Sequence, residues 1–386
     1  MNNAAELFHP SHFAKVRLPA YEAEPLPHWA YTSQAWYDRE VERIFHKAWN
    51  YIAHKSQIPN QGDYMTRDIA GVPVILVRGK DDEVRAFYNS CRHRGSKILW
   101  DEGNCNRMRC PYHSWSYELD GSLGTIPLID DDHLVKSELS LHAVRLEEMN
   151  GFLFITFDAG AEPLSSYLGS LPKEWAAYGP DDFVCTRRVV HQVKANWKLY
   201  FENFNDSLHV PFVHRSTLAR QKVSGRQRAS HVETDGRYIA HFTHHEGSRG
   251  LLEEDQGRGF PLFEGLEGRY LTGTYYPCIL PATLFAFTID SAWVYELNPK
   301  GPGLTEVALT SFFSKDQVAR PDFEEVAQRY YRRGDIIVPE DNFVVERQQE
   351  GLSLPVGMSG KFTSMETLCH AFDNWVLDQM VEPQPA

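Results

Sequence analysis

The stretch CRHRGSKILWDEGNCNRMRCPYHSW, residues 91–115, contains two cysteine–histidine pairs separated by 16 residues. Cys91 and His93 lie two positions apart, whereas Cys110 and His113 lie three apart. Thiolates and imidazoles at such short spacings are typical of metal ligands. The six cysteines of this 386-residue chain do not form the dense pattern of a secreted disulfide framework. Metal binding is therefore the better explanation for the two thiols in this stretch.

Two kinds of metal centre fit this set of ligands. A single tetrahedral zinc ion bound by two cysteines and two histidines is one interpretation. The other is a Rieske [2Fe-2S] cluster, in which two cysteines bind one iron and two histidines bind the second. Each pair in the quoted stretch is mixed, so the two thiolates can meet at one iron and the two imidazoles at the other. We therefore favour the cluster, held by Cys91, His93, Cys110 and His113.

The overall composition narrows the range of functions. The chain carries a formal net charge of −13, which argues against a nucleic-acid partner, because phosphate binding depends on clustered Lys and Arg. The longest apolar run, GFLFITF at residues 151–157, is too short to span a bilayer, and the first residues lack a secretory signal pattern. We expect a cytoplasmic protein without a membrane partner.

The pattern of short strands and turns predicts an α+β protein with two main domains. Strand-like segments between residues 63 and 88, a hairpin signal at Asp120-Gly121 and the run at 151–157 predict a small all-β domain over residues 41–160. Residues 161–386 contain strand-like segments that do not alternate regularly with helices, which predicts an antiparallel sheet with helices in a catalytic domain. Residues 1–40 are expected to pack on that domain. Helices are predicted over 196–210, 321–334, 339–351 and 363–380. Pro339 is expected to mark the start of the third helix and to separate it from the second.

A second polar cluster occurs in NWKLYFENFNDSLHVPFVH, residues 196–214. On a helix, Glu202, Asp206 and His209 share one face. His214 would point elsewhere on a regular helix, but Pro211 should end or distort the helix and let the two histidines approach each other. Two imidazoles and one carboxylate form the facial triad of non-haem Fe(II) enzymes. A hydrogen-bonded polar cluster without metal is the alternative.

The third iron ligand is expected far along the chain, in PEDNFVVERQQEG at residues 339–351. Asp341 shares a helix face with apolar residues, and a buried carboxylate needs a cation or hydrogen bonds. Glu340, Asp206 and Glu202 are competing candidates. Asp341 could also be a first-turn acid favoured by the helix dipole.

Taken together, CRH…CPYH, the 196–214 segment and EDNFVVERQQEG resemble the α subunit of Rieske non-haem iron ring-hydroxylating oxygenases over nearly the whole chain. The resemblance implies that His209, His214 and Asp341 bind Fe(II). It implies that Asp206 hydrogen-bonds a catalytic histidine of its own subunit and a cluster-binding histidine of a neighbour, and that Asn203 lies near the iron. Electrons then cross between subunits, so a trimer, α3 or α3β3 with a β subunit, is implied.

The resembled family hydroxylates aromatic substrates with O2, and we expect an aromatic acid, hydroxylated once or to a cis-dihydrodiol. An oxygenase that acts on an aromatic amine or demethylates an amine is the alternative. The strand WVYELNPK offers Tyr295 and Glu296 where an arginine for a substrate carboxylate is expected. Candidate pocket walls are Phe204, Phe212, Phe285, Phe287 and Tyr295.

Electrons must come from another protein, because the chain has no G-x-G-x-x-G motif in a βαβ unit. We expect an NAD(P)H-dependent reductase, with or without a ferredoxin. An electron-carrier Rieske protein is a weaker interpretation, since it would not use the second cluster of ligands. A zinc-stabilised binding module would be colourless and without redox activity.

Overall fold

The computed structural model describes residues 7–128, 134–221, 230–232, 234–354 and 360–382. Contacts divide the chain into two units. The smaller unit is His46–Leu164, and the larger unit combines Met1–Phe45 with Ser165–Ala386.

The smaller unit is built on β-strands. In the described residues these are β1 (Asn50–His54), β2 (Asp63–Ile69), β3 (Val72–Arg78), β4 (Val84–Tyr88), β5 (Glu102–Asn104), β6 (Met108–Arg109), β7 (Ser116–Tyr117), β8 (Ala143–Met149) and β9 (Phe152–Thr156). An antiparallel sheet has the order β1-β9-β8-β4-β3-β2-β5, and β6 pairs separately with β7.

Strand β3 shows how this sheet places the cysteines of the quoted stretch. Its successive side chains point to opposite faces. Val74 and Leu76 enter a core with β1 and β9, whereas Ile75 and Val77 enter a second core that contains Cys91 and Cys110. Both faces of the strand are therefore buried, and the two thiols lie in an apolar environment.

The larger unit contains a second antiparallel sheet with helices. Among the described residues its order is β10-β16-β15-β14-β13-β12-β11. The strands are β10 (Phe183–Val193), β11 (Ser230–Val232), β12 (Tyr238–His244), β13 (Gly273–Ile279), β14 (Thr283–Phe287), β15 (Ala292–Gly301) and β16 (Leu304–Ser314). The helices are α1 (Trp29–Thr32), α2 (Gln34–Glu40), α3 (Leu164–Leu168), α4 (Leu171–Trp175), α5 (Trp197–Asn205), α6 (Val210–Val213), α7 (Lys315–Val318), α8 (Phe323–Leu352) and α9 (Thr367–Met380). The predicted α+β class is confirmed.

Helix α8 corrects one prediction. Residues 321–334 and 339–351 were expected to form two helices, but the structure has one continuous helix of 30 residues with Pro339 inside it. Pro339 has no N–H to donate to the carbonyl of Asp335, four residues earlier in the helix. Both residues are exposed, so water can donate a hydrogen bond to that carbonyl instead. Gly334 does not end the helix. It lets α8 lie close to β16, because a Cβ at this position would lie 2.8 Å from the Leu309 side chain.

None of the described helices is both long enough and apolar enough to cross a membrane.

Candidate metal centres and substrate cavity

The two cysteine–histidine loops of the smaller unit have the same backbone geometry. The Cys91 carbonyl accepts a hydrogen bond from Gly95 N–H at 2.9 Å, and the Cys110 carbonyl accepts one from Ser114 N–H at 3.0 Å. Gly95 and Ser114 both have positive φ, +74° and +58°. Such values are uncommon outside glycine, so Ser114 adopts a demanding conformation to match the first loop. The two loops therefore present their cysteines in equivalent ways, despite the different spacing of the histidines.

The four candidate cluster ligands form two pairs. His93 Nδ1 and His113 Nδ1 lie 3.1 Å apart on exposed rings. The cysteines are buried, and burial together with the neighbouring Cys110 thiol raises the pKa of Cys91. The pairing suits a cluster in which one iron is bound by the two imidazoles and the other by the two thiolates.

This pairing fits a cluster better than one zinc ion. A tetrahedral site would bring all four ligand atoms to one point. Among the described residues, one group of at least three metal-binding side chains has its ligand atoms within 4.8 Å of one another. That group does not lie in these loops. Tyr117 adds a polar contact: its hydroxyl accepts a hydrogen bond from Arg92 N–H at 3.0 Å and lies 3.2 Å from Cys91 Sγ.

The compact ligand group consists of His209, His214 and Asp341. Asp341 Oδ1 lies 3.0 Å from His214 Nε2 and 3.5 Å from His209 Nε2. The two imidazole rings are 5.2 Å apart and inclined by 70°. Three ligands gathered at one side of a cavity, two imidazoles and one carboxylate, are the donor set of a facial Fe(II) site with open positions.

The segment between the two histidines differs from the prediction. Helix α5 already ends at Asn205, with Asp206 as its C-cap, so the expected helical face from Glu202 to His209 does not continue. Pro211 does not end this helix. It lies in the first turn of α6, where its missing N–H costs no hydrogen bond. The change of direction brings both histidines to Asp341 of α8, as expected from the proline.

Each histidine is oriented by a carboxylate at its other ring nitrogen. Asp206 Oδ2 lies 3.2 Å from His209 Nδ1, and Glu340 Oε2 lies 2.7 Å from His214 Nδ1. Thr217 Oγ1 donates a hydrogen bond to the same Glu340 oxygen at 2.9 Å. A carboxylate at Nδ1 fixes the tautomer that leaves Nε2 free for a metal. Glu340 is thus placed as an orienting group and not as a ligand.

The electrostatics of His214 favour a cation at this position. Burial opposes a positive charge on the ring, but hydrogen bonds and charge from Asp341 and Glu340 outweigh it and raise the pKa of His214 in the absence of metal. Glu202, a competing ligand candidate, lies elsewhere and accepts a hydrogen bond from Tyr31 at 2.8 Å. Burial raises the pKa of Glu202 to about 7, and the hydrogen bond from Tyr31 and the charge of Lys198 offset it only in part.

A cavity of about 840 Å³, including its opening, lies beside the three ligands. Phe204, Tyr295 and Asn203 line it, as the sequence predicted. Five aromatic side chains form part of its wall: Tyr200, Phe204, Tyr276, Trp293 and Tyr295.

Three predicted wall residues lie elsewhere. The Phe212 side chain is 80% exposed, because the first turn of α6 directs it outward. Phe287 and Phe285 are fully buried in strand β14, where Phe287 packs against Tyr178 and Phe183. They stabilise the core of the larger unit and do not line this cavity.

Arg249 and Arg333 are among the cavity residues that sequence reasoning missed. Arg333, Ile337 and Asp341 line the cavity at intervals of four residues along α8. That spacing was the available signal, but the predicted break at Pro339 concealed it. Glu296, which stands where an arginine was expected, forms a two-bond ion pair with Arg188 at 3.1 and 3.2 Å.

Comparison with known proteins assigns both units. Residues 48–139 match the Rieske [2Fe-2S] domain, and residues 180–382 match the catalytic domain of the ring-hydroxylating α subunit. The chain belongs to this family. The predicted oxygenase class, the [2Fe-2S] cluster and the mononuclear iron are thereby confirmed, and the zinc module is excluded. As in the family, electrons reach such a subunit from a partner reductase.

Relatives within the family act on different substrates. The oxygenase subunit of carnitine monooxygenase from Escherichia coli K12 is 29% identical over 352 residues, which cover 86% of this chain and 85% of the relative. The large subunit of anthranilate 1,2-dioxygenase from Burkholderia cepacia is 33% identical over 214 residues, 52% of this chain and 50% of the relative. A solved quaternary ammonium Rieske monooxygenase, described in terms of carnitine oxidation and inter-subunit electron transfer, superimposes with a TM-score of 0.79 at 26% identity over 93% of this chain and 96% of its own.

Proposed function

We propose that this chain is the oxygenase component of a system that oxygenates a quaternary ammonium or alkylated amine beside its nitrogen. The aromatic wall next to His209, His214 and Asp341 carries the proposal. Aromatic faces attract ammonium ions and suit alkyl groups equally well. The relatives that match most of the chain act on such compounds, which favours an amine over the expected aromatic acid.

The overall reaction consumes one O2, two electrons and two protons per turnover. A C–H bond beside nitrogen breaks, one oxygen atom enters as a hydroxyl group, and the other leaves as water. The hydroxylated carbon then loses its C–N bond, giving a smaller amine and a carbonyl compound. Electrons come from the partner reductase through the cluster.

The residues of the chain have separable roles in this proposal. Cys91, Cys110, His93 and His113 would hold the cluster, and His209, His214 and Asp341 would hold Fe(II), which would supply open positions for dioxygen. Asp206 and Glu340 keep both imidazoles in the tautomer that binds metal through Nε2. The aromatic wall excludes water and presents the alkyl carbon to the iron.

Substrate turnover tests the proposal directly. The holoenzyme, supplied with NADH and a surrogate reductase, should release a carbonyl compound and a smaller amine from carnitine, glycine betaine or a related quaternary ammonium compound. Hydroxylation of anthranilate or another aromatic acid, with no carbonyl product from any amine, would overturn the proposal. It would support the prediction, made from the sequence, that the substrate is an aromatic acid.

Asp206 is proposed to couple the two metal centres across a subunit boundary in a trimer. Its Oδ2 contacts His209, while its Oδ1 accepts a hydrogen bond from Leu208 N–H at 2.6 Å, which fixes the carboxylate. With Fe(II) supplied in excess, Asp206→Asn should contain both metal centres, but reoxidation of its reduced cluster should be slower. The exposed Asp316→Asn is the control.

Stopped-flow absorbance of the cluster, iron content and oligomeric mass check this role. A wild-type reoxidation rate in Asp206→Asn, or a monomeric holoenzyme, would contradict it. The β subunit, the ferredoxin and a cytoplasmic location stay predictions.

A further inference from the structure

Two buried arginines lie in the wall of the cavity beside the iron ligands. Arg249 is 6% exposed and follows strand β12, and Arg333 is 7% exposed and lies on α8. Arginine is almost never buried without a partner, because removing its charge from water is costly. Two such residues at one cavity therefore need an explanation.

Neither guanidinium has a carboxylate partner among the described residues. The nearest polar contact of Arg249 is with an amide, since its Nη1 donates a hydrogen bond to Gln221 Oε1 at 2.6 Å. Among the described residues, Nε of both arginines is buried without a hydrogen-bond partner. Arg333 lies over the Trp293 ring at 4.5 Å, which fixes the plane of its guanidinium but does not neutralise its charge.

Arg333 has a second positive charge near it, that of Arg249. Burial lowers the pKa of Arg333, and the charge of Arg249 lowers it further, while Tyr295, Tyr276 and Asp341 act in the opposite direction. Arginine stays protonated under such conditions, because its ordinary pKa lies above about 12. The charge of Asp341 is also committed to the iron, so it cannot balance both guanidinium groups.

We propose that Arg249 and Arg333 bind a carboxylate of the substrate. This inference rests on the proposed oxygenation of an amine and narrows the substrate to one that carries both an ammonium and a carboxylate group. In this proposal the carboxylate lies between the two guanidinium groups, and aromatic side chains of the same cavity contact the alkylammonium end. A cation without a carboxylate would be repelled by both guanidinium groups and would lose the charge-assisted hydrogen bonds that a carboxylate makes with them.

Two pairs of compounds isolate the contribution of the carboxylate. Glycine betaine and choline share a trimethylammonium group but differ in the carboxylate, and anthranilate and aniline form the same contrast on an arene. Dissociation constants are measured by calorimetry under anaerobic conditions with the holoenzyme, and KM and kcat are measured with a surrogate reductase. We expect glycine betaine to bind about 100-fold more tightly than choline, since two charge-assisted interactions are made.

Arg333→Met should remove most of this preference. It should raise the dissociation constant and KM for glycine betaine by about 10- to 100-fold, leave those for choline unchanged or lower, and change kcat less. The ligand-free variant should be at least as thermally stable as wild type, because an uncompensated buried charge is lost. A purely structural arginine would instead lower Tm. Arg347→Met, an exposed position of the same helix, is the control.

The outcomes separate the carboxylate subsite from the proposed function. If neither glycine betaine nor anthranilate binds more tightly than its carboxylate-free counterpart, or if Arg333→Met leaves the preference intact, the subsite is overturned, and choline turnover would still support amine oxygenation. If anthranilate is preferred through Arg333 and no amine is oxygenated, the subsite stands and the proposed function falls.

Discussion

The cluster loops take their four candidate ligands from 23 consecutive residues, whereas His209, His214 and Asp341 span 133 residues of the chain. In the loops, each cysteine carbonyl is hydrogen-bonded to an N–H four residues later, so the geometry depends on local turns. The candidate iron ligands instead depend on the packing of α8 beside the residues that follow α5. The first site is a property of a short segment, and the second is a property of the fold.

Removing the distant ligand should have the largest selective effect on the second site. Asp341→Ala should lower the iron content from about three to about two atoms per chain and abolish turnover, because two imidazoles alone hold Fe(II) poorly. Labile sulfide and the Rieske spectrum should not change. Metal analysis and EPR of the reduced protein measure both quantities.

Asp335→Ala is the matched control for this change. It lies on the same helix, but its carboxylate is exposed and contacts Arg187. Loss of the cluster signal in Asp341→Ala would show that the two centres are not independent, and full retention of iron would remove Asp341 from the ligand set.

The same contrast explains how far the sequence could predict the site. The spacing of Cys91, His93, Cys110 and His113 predicted a cluster, because its determinants are local, and the family match confirms the cluster. Its binding by these four residues stays a prediction. Pro211 correctly indicated that the two histidines approach each other, although it starts α6 instead of ending α5.

The missed features are long-range. Whether Pro339 breaks a helix depends on whether its lost hydrogen bond faces water, and that is decided by how α8 packs on the sheet. The same uncertainty hid Arg333, which lies two turns before Asp341 on the cavity face of α8. Likewise, Phe212 and Phe287 are aromatic residues of the kind that line pockets. Only the tertiary structure shows that Phe212 lies on the surface and Phe287 in the core.

A smaller effect is expected when an orienting carboxylate is changed. Glu340→Gln weakens the contact with His214 Nδ1, so the affinity for Fe(II) should fall by about 10- to 100-fold. Retention of iron against a graded chelator measures this change, with the exposed Glu350→Gln as control. Unaltered retention in Glu340→Gln would mean that Asp341 and the fold alone orient the ring. The cluster should be unaffected in either variant.

The smallest effect is expected at Tyr117, in the local site. Because Tyr117 Oη already accepts a hydrogen bond from Arg92 N–H, its own proton is available to Cys91 Sγ at 3.2 Å. A hydrogen bond to a cluster-binding sulfur stabilises the more negative, reduced state. Tyr117→Phe should therefore lower the reduction potential of the cluster while leaving iron and sulfide contents unchanged.

Redox titration followed by EPR measures the shift in potential. Tyr112→Phe, which changes an exposed tyrosine in the second loop, is the control. An unchanged potential would show that the hydroxyl proton points away from the thiolate, whereas loss of the cluster would show that this hydrogen bond is needed to form the loop.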